Sequence, residues 1–289
     1  MSGASRSGVR SNAGRLVTTR LSAWVQAAAA NCIVAPSGAV KTLPGQGGVV
    51  TGIDLGDRAG SWIGDHVEPG LSLGHPDPAA NRALRALSCA GNPVVMLDGP
   101  AAGAKGVVYG KHGAVLAMFA QADLARIAPG ERVSIDAEGG GLALDDAPDV
   151  VLHSCSPALL HRWLQARDDG GRIVVPVAAI LPPVAAAAGI GMPAAMFNMD
   201  LHIYAEPVAS AAANLRFGDI VAVLDQDHRY SRRFAKGWVA VGVISHGEAG
   251  AGGHGHGLMT LLTAPMERVT LQLSSGACLA TLLSGAPAS

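Results

Sequence analysis

The chain has 289 residues, of which only 15% are charged, with a formal net charge of −1 and four cysteines. That length carries a core without disulfides or a structural metal, and the sparse charge, with no Lys/Arg block beyond Arg232 and Arg233, excludes nucleic acid as the main partner. Cys32, Cys89, Cys155 and Cys278 are far apart and form no Cys-x-x-Cys pair, which argues against a zinc ribbon and fits buried thiols in the cytoplasm.

Residues 1–22 carry Arg6, Arg10, Arg15 and Arg20 without an acidic residue and are expected as a flexible N-terminal arm. The apolar run behind them is short, mostly alanine and broken by Gln26 and Asn31. It reads as a first helix around LSAWVQAAAA rather than a signal peptide. No apolar stretch reaches the roughly 20 residues that span a bilayer, since VAAILPPVAAAAGIG is interrupted by Pro182 and Pro183. A soluble protein is expected, with no membrane partner.

The stretch SWIGDHVEPG places Asp65, His66 and Glu68 within four positions. If it is extended, His66 and Glu68 point the same way and Asp65 the other, so that the pair could share a cation or a proton. The ordinary alternative is a turn capped by Asp65 with a hydrogen-bonded histidine. A helix is expected over PAANRALRALSCA, with Asp77 as its cap and Pro78 at its first position, and another over SPALLHRWLQA, opened by Ser156 and Pro157. A third falls on QADLARIA.

Glycine, 38 residues in all, is spread among short apolar runs, the mark of many strands joined by tight turns. Strands are read at NPVVML, AKGVVYG, AVLAMFA, ERVSIDA, DVVLHS, RIVVPVAAI, GDIVAVLD, GWVAVGVIS, GLMTLLT and VTLQLS. They do not alternate with helices, which disfavours Rossmann and TIM-barrel folds. The fold class is α+β and β-rich, with a few flanking helices. LALDDAPDV and RDDGG mark a joint between two intertwined halves, residues 23–150 and 151–289, the second completing the site.

Three further polar groups stand at strand ends. Lys111 and His112 sit between Gly110 and Gly113, in a turn where glycine lets the backbone approach another group; an ordinary hairpin with an exposed lysine is the plain alternative. The apolar strand GDIVAVL runs into Asp225, Asp227 and His228, which would deliver two carboxylates to one face. The glycine and distal glutamate of a calcium loop are missing, so that reading is rejected. His246 ends another apolar strand, and His254 and His256 follow in a glycine-rich loop. A His-x-His pair is a familiar ligand pair, though such a loop can also be mere surface. Buried charge is costly unless paired, protonated or metal-bound, so clustering in so uncharged a chain points to one polar pocket.

In order along the chain, GDHVEPG, NRALRALSCAGN, AKGVVYGKHG, LRFGDIVAVLDQD, GWVAVGVISH and AGGHGHG resemble the bacterial and archaeal family catalogued as domain of unknown function 4438. The resemblance implies that Asp65, His66, Glu68, Asn92, Lys111, His112, Asp225, Asp227, His246 and His254 fall in characteristic motifs. His254-Gly-His256-Gly stands where the family pattern is His-Gly-Pro-Gly, and SRRF replaces a Gly-Arg stretch, so His256, Arg232 and Arg233 are outside the implied set.

The expected function is a metal-assisted small-molecule hydrolase acting on an amide, lactam or cyclic imide. A divalent metal, zinc or manganese, is assigned to Asp65, His66, Glu68 and His254. Asp225 or Asp227 is the expected base, Lys111 or His112 stabilises the oxyanion, and His246 completes the catalytic group. Asn92 and Asp200 are the expected substrate contacts. Two alternatives stay open: a metal-independent lyase or isomerase using His/Asp proton transfer, and a non-catalytic oligomeric binding protein whose glycine turns meet at a subunit interface. A homo-oligomer is expected in either class.

Overall fold

The computed structural model describes residues 8–284 except 30, 31, 36, 190, 205 and 250–253. It is β-rich, as the run pattern indicates, with seventeen strands against five short α-helices among the described residues. Each of the ten strand segments read above contains a strand.

Six strands close into an antiparallel barrel. Arg132–Ala137 pairs Thr19–Val25 on one side and Pro93–Met96 on the other; Lys105–His112, Ala114–Phe119 and Gly70–Gly74 follow in order. Closure comes from Trp24 opposite Gly74 and Val25 opposite Leu73. Val49–Val50 is added beyond Gly70–Gly74. Ala114–Phe119 is buried along its whole length, which is why AVLAMFA is nearly all apolar, whereas Arg132–Ala137 alternates, with Val133, Ile135 and Ala137 inward.

The second sheet runs Val151–Leu152, Gly257–Pro265, Arg233–His246, Ile220–Asp227, Ala179–Leu181, and the short Met199–Asp200 pairs with Gly257–Leu258. A parallel pair, Ile173–Val177 with Val269–Leu273, lies beside it. The larger buried cluster takes Leu71, Val94 and Leu116 from the barrel together with Trp163, Val241 and Leu262. Barrel and sheet meet where Gly110 faces Ser245: a Cβ on Gly110 would stand 2.6 Å from that of Ser245. Glycine is needed there so that Lys105–His112 can lie against Arg233–His246.

The helix expected at LSAWVQAAAA is instead the strand Thr19–Val25. Ala23 and Val25 are buried while Leu21, Ser22 and Trp24 are less so, the two-residue period of a strand, which the following alanines obscure. Of the expected arm over residues 1–22, the part from Asn12 onward includes residues paired with the rest of the chain. Asn12 already bonds across to residues 141 and 143, and Thr19 pairs with Ala137.

The caps at Asp77 and Ser156 form. The Asp77 carboxylate accepts from the Ala80 amide at 2.8 Å, and the Ser156 hydroxyl accepts from Leu159 at 3.1 Å. Asp77→Ala is expected to cost about 1 kcal/mol of stability, measured as a shift of the urea midpoint at constant slope. An unmoved midpoint would contradict it. Among the described residues no helix is long and apolar enough to cross a membrane.

Candidate metal centre

Residues 61–69 contain no strand. The segment is held by backbone bonds from Asp65 N to Pro44 O (2.9 Å), Glu68 N to Gly45 O (2.9 Å) and Gly247 N to Val67 O (2.9 Å). His66 sits in the left-handed region at φ 48°, a conformation that non-glycine residues rarely adopt outside constrained sites. This turn breaks the two-residue alternation assumed for GDHVEPG. His66 and Glu68 do not bond to each other; His66 pairs with Asp65 and Glu68 with His112, whose ring stacks on that of His66.

His66 Nδ1 donates to Asp65 Oδ1 at 2.6 Å. His112 Nδ1 donates to Glu68 Oε1, also at 2.6 Å, while the other Glu68 oxygen accepts from Gly47 N (2.9 Å) and the Ser72 hydroxyl (2.5 Å). His246 Nδ1 donates to the Gly247 carbonyl at 2.7 Å. In all three imidazoles an acceptor on Nδ1 leaves Nε2 as the lone-pair nitrogen, the arrangement by which outer partners fix the tautomer of metal-binding histidines. Asp65 and Glu68, 2% and 1% exposed, thus orient imidazoles, where the sequence suggested direct ligands.

The rings cluster tightly. His66 lies 5.1 Å, centroid to centroid, from each of His112, His246 and His254, and His112 lies 4.0 Å from His246. His66 Nε2 approaches His254 Nδ1 to 3.3 Å, and His254 Nδ1 is 3.0 Å from Asp200 Oδ2. One ligand atom from each of His66, Asp200 and His254 lies within 4.8 Å of the others. Asp200 also stands 3.4 Å from His246 Nε2, which takes a closer contact, 2.5 Å, from the Asn198 carboxamide. Gly257, opposite His246 in the ladder, leaves room for that ring, since a Cβ there would collide with Nε2.

Burial, helped by His112, lowers the pKa of His66 against the pull of Asp65. Burial and His112 take His246 down to about 4. Burial works against ionisation of Asp200, yet the contact with His246 and the neighbouring imidazoles hold it down at about 2. Near neutral pH the site therefore offers neutral His66 and His246 imidazoles and an ionised carboxylate, the protonation states in which such groups bind cations.

Other expected residues lie elsewhere. Lys111 belongs to the strand rather than a turn, alternates away from His112, and bonds the Ser154 hydroxyl (2.8 Å) and the Ala195 carbonyl (2.6 Å). Asn92 is engaged by backbone, accepting from Cys89 N and donating to Glu138 O. Asp225 and Asp227 do not share a face, because a bulge with Asp225 at φ 55° interrupts the strand. Asp225 accepts from Gly237 N, and Asp227 is clasped by Arg229 and Arg233. Among the described residues neither bonds to the histidine cluster, so the single pocket expected from all four polar groups gathers the histidines and not this acidic pair. His254 and His256 also part: His254 turns to His66, whereas His256 is buried near Gly60 and Glu248. Asn198 was not picked out by sequence reasoning; a lone Asn two residues before Asp200 carries no periodic signal.

Two family models match the chain, "Domain of unknown function (DUF4438), N-terminal" over residues 33–161 and its C-terminal counterpart over residues 163–283. A search of curated proteins gives no match. A solved structure described as "Crystal structure of TM1086" is similar at 33% identity and a TM-score of 0.86, over 95% of this chain and 99% of that one. The chain belongs to the DUF4438 family.

Proposed function

We propose that the chain is a metal-assisted hydrolase of small molecules, acting on the C–N bond of an amide, lactam or cyclic imide. The observation that supports this reading is the meeting of His66, Asp200 and His254 donor atoms within 4.8 Å. Mixed imidazole and carboxylate donors suit zinc or manganese. A divalent cation held by His66, Asp200 and His254 would supply Lewis acidity, which lowers the pKa of water from 15.7 to about 7 and polarises a carbonyl.

The chain's own residues carry the remaining steps. Asp65 fixes the His66 tautomer. Glu68 does the same for His112 and stabilises the imidazolium that forms when His112 takes a proton from water. As the C–N bond breaks, His112 returns that proton to the leaving nitrogen. The cluster is walled on one side by fully buried His246 and opens on the other, where the His254 side chain is 51% exposed. Beside that opening lies a cavity of about 290 Å³ lined by Arg58, Tyr204, Glu248 and His256. The Tyr204 hydroxyl bridges Glu248 Oε2 (3.1 Å) and the His254 carbonyl (3.0 Å).

The test combines elemental analysis of the purified chain with a panel of amides, lactams and cyclic imides. Stoichiometric zinc or manganese, and turnover lost on chelation and restored by the metal, are the expected results. A metal-free chain that gains neither metal nor activity on reconstitution would overturn the reading.

A further inference from the structure

Arg232 is 1% exposed. Its Nη1 donates to the Asn198 carbonyl, while its Nε and Nη2 are buried with no partner among the described residues. The neighbouring arginines behave differently: Arg229 and Arg233 both reach Asp227. A buried polar group without a partner is expensive, and a buried charge more so, so this arrangement needs a reason.

The two unsatisfied nitrogens form one edge of the guanidinium. Nε–H and the Nη2–H beside it point in parallel, the fork that grips two oxygens of one carboxylate. Arg232 lines a cavity of about 230 Å³ with Pro183, Ala186, Met199, Gln226 and Phe234, and it is the one charged side chain among the described residues lining it. Gly189, at φ 102°, makes room for the guanidinium, because a Cβ there would collide with Nη1.

We propose that the Arg232 fork is a binding site for the carboxylate of a small organic acid. A monoanion matches a single guanidinium, whereas a phosphate dianion would need a second cation. Apolar walls suit a short hydrocarbon tail, and the volume lies below that of a drug-sized pocket. Asn198 ties this site to the metal centre: its carbonyl holds Arg232 while its carboxamide contacts His246 and Asp200. The proposal does not require the hydrolase reading.

The test titrates the full-length chain, stripped of metal with EDTA that is then dialysed away and again with zinc added, with acetate, butyrate, benzoate, phosphate and sulfate against sodium chloride at matched ionic strength, following melting temperature and heat of binding. At least one carboxylate is expected to bind saturably and raise the midpoint by roughly 5 °C at one hundred times its Kd. Arg232→Met should abolish this while melting no lower than the ligand-free wild type, since it removes an unpaired buried charge. Arg232→Lys, which keeps the charge but not the fork, should weaken binding at least about tenfold. Absence of saturable binding to wild type overturns the proposal, a result readable even if both variants fail to fold. So does binding that survives in Arg232→Met, binding that appears only with metal present, or tighter binding of phosphate or sulfate than of any carboxylate.

Discussion

Replacing His66 with alanine is expected to remove at least nine-tenths of the bound divalent metal and the hydrolytic activity that depends on it, with little change in the stability of metal-stripped protein. His66 stands at the centre of the cluster, 5.1 Å from three other imidazoles, and supplies one of the three converging donor atoms. Loss of a partner that only orients a ligand lowers metal affinity 10- to 100-fold, and loss of the ligand itself should exceed that. The stripped proteins should melt within a few degrees of each other. Comparison in EDTA is essential because bound metal stabilises the folded state by mass action. His66→Gly is the companion variant, since glycine relieves the left-handed backbone while removing the same ring. If metal is retained and the stripped variant loses 1 to 3 kcal/mol, His66 is a structural histidine whose removal strands the Asp65 carboxylate.

A second large effect is expected from acid. His228 is wholly buried, with Nδ1 on the Thr260 hydroxyl at 2.8 Å and no partner for Nε2 among the described residues. Burial, then Arg232 and His153, push it down to about 3. His153 Nε2 likewise has no partner among the described residues, and burial together with Lys111 lowers its pKa to about 4. Both folded values lie below the unfolded value of 6.5, so below pH 6.5 the unfolded chain binds more protons. The contribution of these groups is full above pH 6.5 and is lost as pH falls toward 4 and then 3. For two such groups the slope approaches about 2.7 kcal/mol per pH unit below pH 6.5, and the loss between pH 7.5 and 5 sums to about 4 kcal/mol. Urea unfolding of the wild type and of His153→Gln/His228→Gln across pH 5 to 7.5 measures it. The difference in stability should narrow by that amount at the acid end, and parallel curves would refute it.

The glycine-bounded apolar runs made the strand content legible, because burial of a strand's faces writes itself directly into residue type. Thr19–Val25 was hidden by the alanines that follow it, and Gly70–Gly74 by its two glycines and Ser72. At the site, His112 and His246 were legible as histidines beside glycines at strand ends, His254 as one in a glycine-rich loop, and His66 by its acidic neighbours Asp65 and Glu68. Their geometry was not. The left-handed turn at His66 and the bulge at Asp225 each break the two-residue alternation on which a face assignment rests, and neither leaves a glycine to announce it. Asp200 sits on a two-residue strand, too short for any period to show, so its approach to His254 depends on pairing with Gly257–Leu258.

The contact of Gly110 with Ser245 sets the gauge of the whole centre. His66 and His112 come from the region matched by the N-terminal family model, Asp200, His246 and His254 from the region matched by the C-terminal one. The ladder residues on either side of that contact carry the two rings that lie 4.0 Å apart. A single methyl group at position 110 would act as a shim between barrel and sheet, parting both sets of donors together without touching any of them. The position with no side chain therefore governs the distance over which all the others act.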